Sequence, residues 1–458
     1  MSDYRSIPQR DVTIDAKDRL GDFEWWRHAL SHGGINTIPL PPRVVTGLAK
    51  LKPRLIRIFL QEHFNIYPDH GRFDWSLLDP FMDALARTGA KVVACICIKP
   101  KVLYPKVDHT IWRPADWAEW QRVIFELVKR YSVDKPIVTY WEVGNETDIG
   151  ENGGCPYLIV DPKEYFEYYT QTIKPVLEAF PTAKVGGPAS CWVDNQPLPG
   201  LVKLCRESKT QLDFISWHIY HDDPRRHALG AEKGKKLLAD WPGKRPEMLV
   251  TEWSKGFDPV SFEDLAFAPR RAAHIAASAL AMTEAGLDWS FYYHVWDQTF
   301  YAEPFQSFFS ESGLRMMETH WNQVPHRFGF FGVGEEVRPQ YFVYQMLSRM
   351  GEERLRAVSD DPDLRVVAAR GETRTSALLV NFNLQGSHEI LATPRFSGIT
   401  PGRKLLTVYR IDSARRWSEQ EIELLPLERR EVCTSDSFYC QVLLPPDSVA
   451  LVCLDEIK

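Results

Sequence analysis

The chain has 458 residues, 44% of them hydrophobic and 25% charged, with a formal net charge of −6 at neutral pH. That length exceeds one ordinary core and suits a large domain with a smaller companion. The acidic balance disfavours a nucleic-acid partner, which needs a basic stripe. No apolar run approaches a membrane span, so no membrane partner is expected. The polar start "MSDYRSIPQRDVTIDAKDRL" lacks the basic opening and apolar run of a signal peptide. The cysteines are scattered, and Cys95 and Cys97 sit inside an apolar run, which predicts free, buried thiols and a cytoplasmic protein. No CxxC pair accompanies Cys155, so neither a metal nor a cofactor is expected. The aromatic share of 12% suits stacking on sugars, although a large core absorbs most aromatic rings in any protein.

From about residue 30 to about residue 350, short apolar runs alternate with amphipathic stretches. "GGINTIPL" is predicted as the first strand, "RLIRIFL" as the second, "SLLDPFMDALARTG" as a helix and "KVVACICI" as the third strand. "PADWAEWQRVIFELVKRYS" follows as a helix capped by Asp116, then "IVTYWEVGNE" as a strand and "PKEYFEYYTQTIKPVLEAF" as a helix. "AKVGGPAS", "LDFISWHIY", "EMLVTEW" and "DWSFYYHVW" complete the strands, with "LVKLCRES", "GAEKGKKLLADW" and "RRAAHIAASALAMTEAG" between them and "RPQYFVYQMLSRMG" as the closing helix. Near-continuous apolar strands joined by helical crossovers mean a parallel sheet covered on both faces. Eight such units predict an α/β fold, a (β/α)8 TIM barrel over residues 22–350.

After Gly351 the texture changes to short β-rich runs: "LRVVAAR", "TSALLVNFN", "HEILAT", "LLTVYRID", "EIELLP", "SFYCQVLLP" and "SVALVCLDE". These predict a C-terminal antiparallel β-sandwich over residues 351–458. "DVTIDA", within residues 1–21, is a candidate further strand of it. The junction at "SRMGEERLRAVSDD" has no flexible Gly/Ser linker, so the two domains are expected to pack together.

The active site of a barrel lies at the C-terminal ends of its strands. Those ends carry Arg57 with His63 beyond it, Asn145 and Glu146, His218 and Tyr220, Glu252 and Trp253, and Tyr293 and Trp296. Two carboxylates on strands four and seven face each other across such a barrel. Paired carboxylates are the machinery of glycoside hydrolysis, one protonated to assist the leaving oxygen and one ionised to attack the anomeric carbon or activate water. The acids are expected to divide by role, Glu146 raised in pKa because the second carboxylate is close, Glu252 ionised beside Arg57. Lys99 and Lys101, in the loop after strand three, are weaker candidates for meeting an acidic sugar.

On these stretches the chain resembles clan A glycoside hydrolases, most of all glycoside hydrolase family 39, the β-xylosidase and α-L-iduronidase family. "YWEVGNETD" resembles that family's acid/base strand and "LVTEWS" its nucleophile strand; "GGPAS", "FISWHIY" and "RFGFFGVGEEVRPQYFVYQMLSRMG" resemble its fifth and sixth strands and its barrel exit. The resemblance implies a retaining enzyme of β-xylosidase-like specificity, with Glu146 as acid/base, Glu252 as nucleophile, Asn145 on the neighbouring sugar hydroxyl and Arg57 beside Glu252. His218, Tyr220, Tyr293, Trp296, Trp253 and His63 are expected to line the substrate. The implied partner is an oligosaccharide or glycoside, and oligomerisation stays open. The alternatives are an arabinofuranosidase-like or glucuronidase-like hydrolase of the clan, or a barrel that binds sugar without cleaving it. Gly144 stands where a Trp is common in the family, Thr147–Asp148 where Pro–Asn is usual, and Phe59 where many relatives carry a His.

Overall fold

The computed structural model describes residues 7–256, 269–323, 328–413 and 421–457. A long first strand, β1 (Gln9–Asp22), precedes eight parallel strands that close into a barrel. These are β2 (His28–His32), β3 (Leu55–Gln61), β4 (Lys91–Cys97), β5 (Val138–Val143), β6 (Lys184–Ser190), β7 (Phe214–Tyr220), β8 (Glu247–Ser254) and β9 (Trp289–Tyr293). The helices described are α1 (Pro42–Lys50), α2 (Leu78–Ala86), α3 (Trp117–Val128), α4 (Pro162–Ala179), α5 (Leu198–Ser208), α6 (Pro224–Leu237), α7 (Pro269–Glu284), α8 (Glu311–Glu318) and α9 (Pro339–Leu347). Asp116 caps α3 as expected, its carboxylate accepting the backbone N–H groups of Ala118 and Glu119, which satisfies two donors that have no partner within the helix.

The first barrel strand is displaced from the predicted one. "GGINTIPL" is a loop, and the strand is "HALSH" just before it. Two histidines disguised it. All five of its residues are buried, and His28 is accommodated there by the hydroxyls of Ser290 and Thr283 at 2.8 Å and 2.9 Å.

Alternation along the strands layers the barrel interior. Ala29, Leu55, Val93, Tyr140, Phe214, Leu249 and Phe291 form an apolar lower plug. Two residues further along their strands come Arg57, Cys95, Glu142, Ser216, Thr251 and Tyr293, all buried, so the upper half of the same interior is polar. Strand β8 breaks the alternation. Trp217 pairs with Val250 but His218 pairs with Glu252, and on the other side Val250 pairs with Ser290 while Trp253 pairs with Tyr292. One extra residue, a bulge at Thr251–Glu252, re-aims the side chains that follow it.

Strand β1 leaves the barrel and joins a second, mostly antiparallel ten-stranded sheet formed by the C-terminal part of the chain, pairing antiparallel with Glu353–Ser359 and parallel with Ile390–Ser397. One face of this sheet has its own core, including Val12, Ile14, Leu379 and Val452. The other face, with Val367, Leu378, Val380 and Leu451, is continuous with the core under the barrel helices. Arg270, at the start of α7, donates to the Asp447 carboxylate at 2.8 Å and to the Leu384 carbonyl. "EIELLP" is not a strand. It lies extended against α9, where the Ile422 carbonyl accepts from Gln345 and the Leu424 N–H donates back to that side chain. Its Glu423 pairs with Lys50 and Arg349, so its alternating apolar residues serve docking between the two parts. All eight cysteines are free; six are buried, Cys191 is half-buried and Cys433 exposed. No helix among the described residues is long and apolar enough to cross a membrane.

Candidate active site

Arg57 organises the upper half of the barrel. Its side chain is fully buried, and each edge of its guanidinium has a partner: Nε donates to Glu142 at 2.6 Å, one terminal nitrogen to Glu252 at 2.7 Å and the other to Asn145 at 2.7 Å. A rigid planar fork can hold three acceptors at once, two from β5 and its end and one from β8; a lysine ammonium cannot reproduce that geometry. Glu142, two residues inward of Gly144 on β5, is the member that sequence reasoning did not assign. The signal was present, an acid flanked by Trp141 and Val143 in a strand that is otherwise apolar at that depth.

The two candidate catalytic acids converge on His218. Its Nδ1 lies 2.8 Å from a Glu146 oxygen and 3.6 Å from a Glu252 oxygen. Those two oxygens are therefore no more than 6.4 Å apart, the length of the two legs laid end to end. Burial, and then the charge of Arg57, hold the His218 ring well below its ordinary pKa, so it is neutral. Burial also lifts both carboxyls above the usual carboxylate range. At Glu252 the Arg57 charge and a 2.6 Å hydrogen bond from the Tyr220 hydroxyl oppose that lift. At Glu146 the nearby charge of Glu252 adds to it. Of the two, Glu146 is therefore the acid more disposed to hold a proton and Glu252 the one more disposed to hold charge. Burial, rather than the neighbouring carboxylate, is the larger cause at Glu146.

Local backbone holds Glu146 in place. The residue adopts φ +44°, in the left-handed region that costs a non-glycine residue about 1–2 kcal/mol. Gly144 before it has φ +83°. The Glu146 N–H donates to the Ala189 carbonyl at 2.9 Å, and its own carbonyl accepts from Ile149 and Gly150. The turn 150–154 then folds back over the carboxyl. A Cβ at Gly153 would stand 2.1 Å from a Glu146 oxygen, so only glycine fits there. Asn145 and Gln61 fasten this turn through the carbonyls of Gly153 and Gly154.

A cavity of about 440 Å3 opens over the pair. Phe59, Gln61, Tyr220 and Tyr293 line its floor beside Glu146 and Glu252, and Ile35, Ile149, Met316, Met317 and Trp321 line its walls. Among the described lining residues there is no Arg or Lys. A larger recess of about 720 Å3 lies at the second sheet, away from both acids, with ion pairs such as Arg370 with Glu353 and Lys404 with Glu456 along it. The smaller cavity is therefore the one with chemistry to offer.

Of the residues expected at the site, Glu146, Glu252, Tyr220 and Tyr293 line the cavity, while Arg57, Asn145 and His218 stand directly behind the acids. Three do not belong there. Trp253 points out of the barrel, because the β8 bulge turns Glu252 inward in its place, and it packs edge-on to His227 and Tyr292. Trp296 lies beyond β9, bridged to Phe331 and stacked on His32 behind the cavity wall. His63 follows β3 in a tight turn and is buried between Phe64 and Phe305. Lys99 is likewise no sugar ligand: its ammonium donates to the Asp108 and Pro156 carbonyls, and burial lowers its pKa to about 8.

Residues 53–232, which include Arg57, Glu142 and Glu146, match the model of the Glycosyl hydrolases family 39. The chain is a glycosyl hydrolase, most like those of family 39. A β-xylosidase of Geobacillus stearothermophilus is 20% identical to it over 437 residues, 84% of this chain and 81% of that one. A β-xylosidase of Caldicellulosiruptor saccharolyticus is 24% identical over 350 residues, 69% of the hydrolase and 65% of the relative. The fold of the whole hydrolase is shared with a monomeric β-xylosidase from Caulobacter crescentus CB15, at a TM-score of 0.77 and 17% identity, covering 98% of this chain and 100% of that one.

Proposed function

We propose that the hydrolase cleaves β-xylosides or closely similar neutral β-glycosides with retention, Glu252 acting as nucleophile and Glu146 as acid/base. The observation that carries this is the unequal setting of two acids on one histidine. Glu252 takes hydrogen bonds from Arg57 and Tyr220, whereas Glu146 has the neutral His218 ring as its side-chain partner among the described residues. A bound on the oxygen–oxygen separation of 6.4 Å favours the roughly 5 Å spacing of retaining enzymes over the wider gap that admits a water for inversion. Both sequence relatives are β-xylosidases, which supports this choice of glycone. The lack of Arg or Lys among the described cavity residues speaks against a uronide, whose carboxylate would go unpaired beside two glutamates.

In the first step the Glu252 carboxylate attacks the anomeric carbon while Glu146 gives its proton to the departing oxygen. Once Glu252 is esterified it no longer carries charge. The repulsion that raised Glu146 disappears, and the Glu146 carboxylate left by the first step is a base for the incoming water. Water attack releases the sugar and returns the proton to Glu146. Activity therefore lies between two limbs: it falls at low pH as Glu252 takes up a proton and at high pH as Glu146 loses its own.

Proton NMR of the first-formed product tests the stereochemistry; the β anomer is expected, and an initial α anomer from a β-xyloside contradicts the proposal. Glu252→Ala should reduce turnover to background, with azide restoring an α-configured glycosyl azide. Glu146→Ala should retain its first step only on aryl glycosides whose leaving group needs no proton.

A further inference from the structure

We propose that the leaving-group side of the cavity is built for an apolar aglycone, an alkyl or aryl group, rather than for a second sugar. This rests on Glu146 being the proton donor, since the donor faces the departing oxygen and so marks the side on which the aglycone lies.

That side has an aliphatic and thioether wall. Ile149 and the turn 150–154 adjoin the Glu146 carboxyl: a Cβ at Gly153 would meet Glu146 at 2.1 Å and the Ile149 side chain at 2.9 Å. The Met317 sulfur stands 3.6 Å from the Cβ position of Gly154, and Met316 continues the lining beside it. The backbone of the turn is already engaged: the Gly153 carbonyl accepts from Asn145 and the Gly154 carbonyl from Gln61. Asn152 of the turn and His320 beyond Met317 are the polar side chains lining the cavity here, against the apolar surface of Ile149, Met316 and Met317. A second sugar presents hydroxyls along its edges, and each one buried without a partner weakens binding. Methionine and isoleucine side chains reward apolar surface instead, and methionine adapts its shape to it.

The wall is a built part of the fold. Helix α8, which carries Met316 and Met317, is capped by Ser310, whose hydroxyl accepts the Gly313 N–H. The Ser310 N–H donates at 2.8 Å to Glu151 in the turn over Glu146, and its hydroxyl bonds the same carboxylate. Below the helix, Met317 packs into a cluster with Ile35, Phe300, Phe305, Phe308 and Phe309. The nucleophile side differs: Glu252 is backed by Arg57 and His218, and the Tyr220 hydroxyl beside it lines the cavity.

The test is a series of methyl, butyl, hexyl and octyl β-xylosides, with the matching β-glucosides and xylobiose, assayed by released sugar. Alkyl alcohols are leaving groups of similar basicity, so differences along the series report binding of the chain rather than activation of the bond. Each buried methylene is worth up to a few-fold, and kcat/KM is expected to rise at least tenfold from methyl to hexyl and to exceed that of xylobiose. Met316→Gln and Ile149→Thr should each lower the hexyl-to-methyl ratio severalfold; because the ratio is taken within one variant, loss of folded enzyme cancels. Hydrolysis with no dependence on chain length, or with xylobiose the best substrate, overturns this inference and leaves the hydrolase reading standing. Failure to hydrolyse any member of either series overturns that reading and this one with it.

Discussion

The two ends of the barrel interior use the same strands for opposite purposes. At the lower end the inward residues are apolar, among them Leu55, Val93, Phe214 and Leu249, and the charged group there, Lys184 with Glu247 and Tyr140, sits at the solvent edge with Lys184 39% exposed. At the upper end, Arg57 and Glu142 are fully buried and Glu252 nearly so. Burying charge is costly unless every partner is in place. The lower plug therefore stabilises the barrel, whereas the upper network is held at a cost and orients the acids.

Removing one partner at each end separates these roles. Arg57→Met leaves Glu142 and Glu252 buried without their cation, and it should destabilise the fold by about 3–5 kcal/mol, measured by urea unfolding, and lower kcat by about 10²-fold or more. Full activity with unchanged stability would refute the account of the upper end. Leu249→Ala opens a hole in the lower plug and should cost about 2–5 kcal/mol while kcat per folded molecule stays within a few-fold of the parent. Glu142→Gln should sharpen the comparison through pH. It removes a charge that raises the Glu252 pKa and leaves Arg57 less divided, so the acidic limb of kcat/KM moves to lower pH. A limb that moves upward would contradict the sign. Lys184→Met, at the exposed lower rim, should change stability by no more than about 1 kcal/mol and leave the pH profile alone.

The lower end was far more legible in the sequence than the upper. "RLIRIFL", "KVVACICI" and "LDFISWHIY" each announce a buried strand, and the barrel follows from them. "HALSH" does not, because His28 takes its place through Ser290 and Thr283, partners more than 250 residues away. At the upper end the acids could be found from their places at strand ends. Which neighbours join them depended on the bulge at Thr251–Glu252, a one-residue register change that sends Glu252 inward and Trp253 outward. No local pattern reveals it. Glu142 was visible as an acid within an apolar strand, but its meaning required seeing Arg57 bridge three strands. The thioether wall on α8 comes from a segment after β9 whose position over Glu146 depends on Glu151 and Ser310 meeting across 159 residues of chain.

The central claim is the division of labour between Glu252 and Glu146. It is tested most directly by a 2-deoxy-2-fluoro-β-xyloside carrying a good leaving group, which slows loss of a covalent intermediate, followed by proteolysis and mass mapping of the labelled peptide. The account predicts one fluoroxylosyl group per chain, attached at Glu252. A label at Glu146, or turnover through an inverted product with no label on either acid, would contradict it.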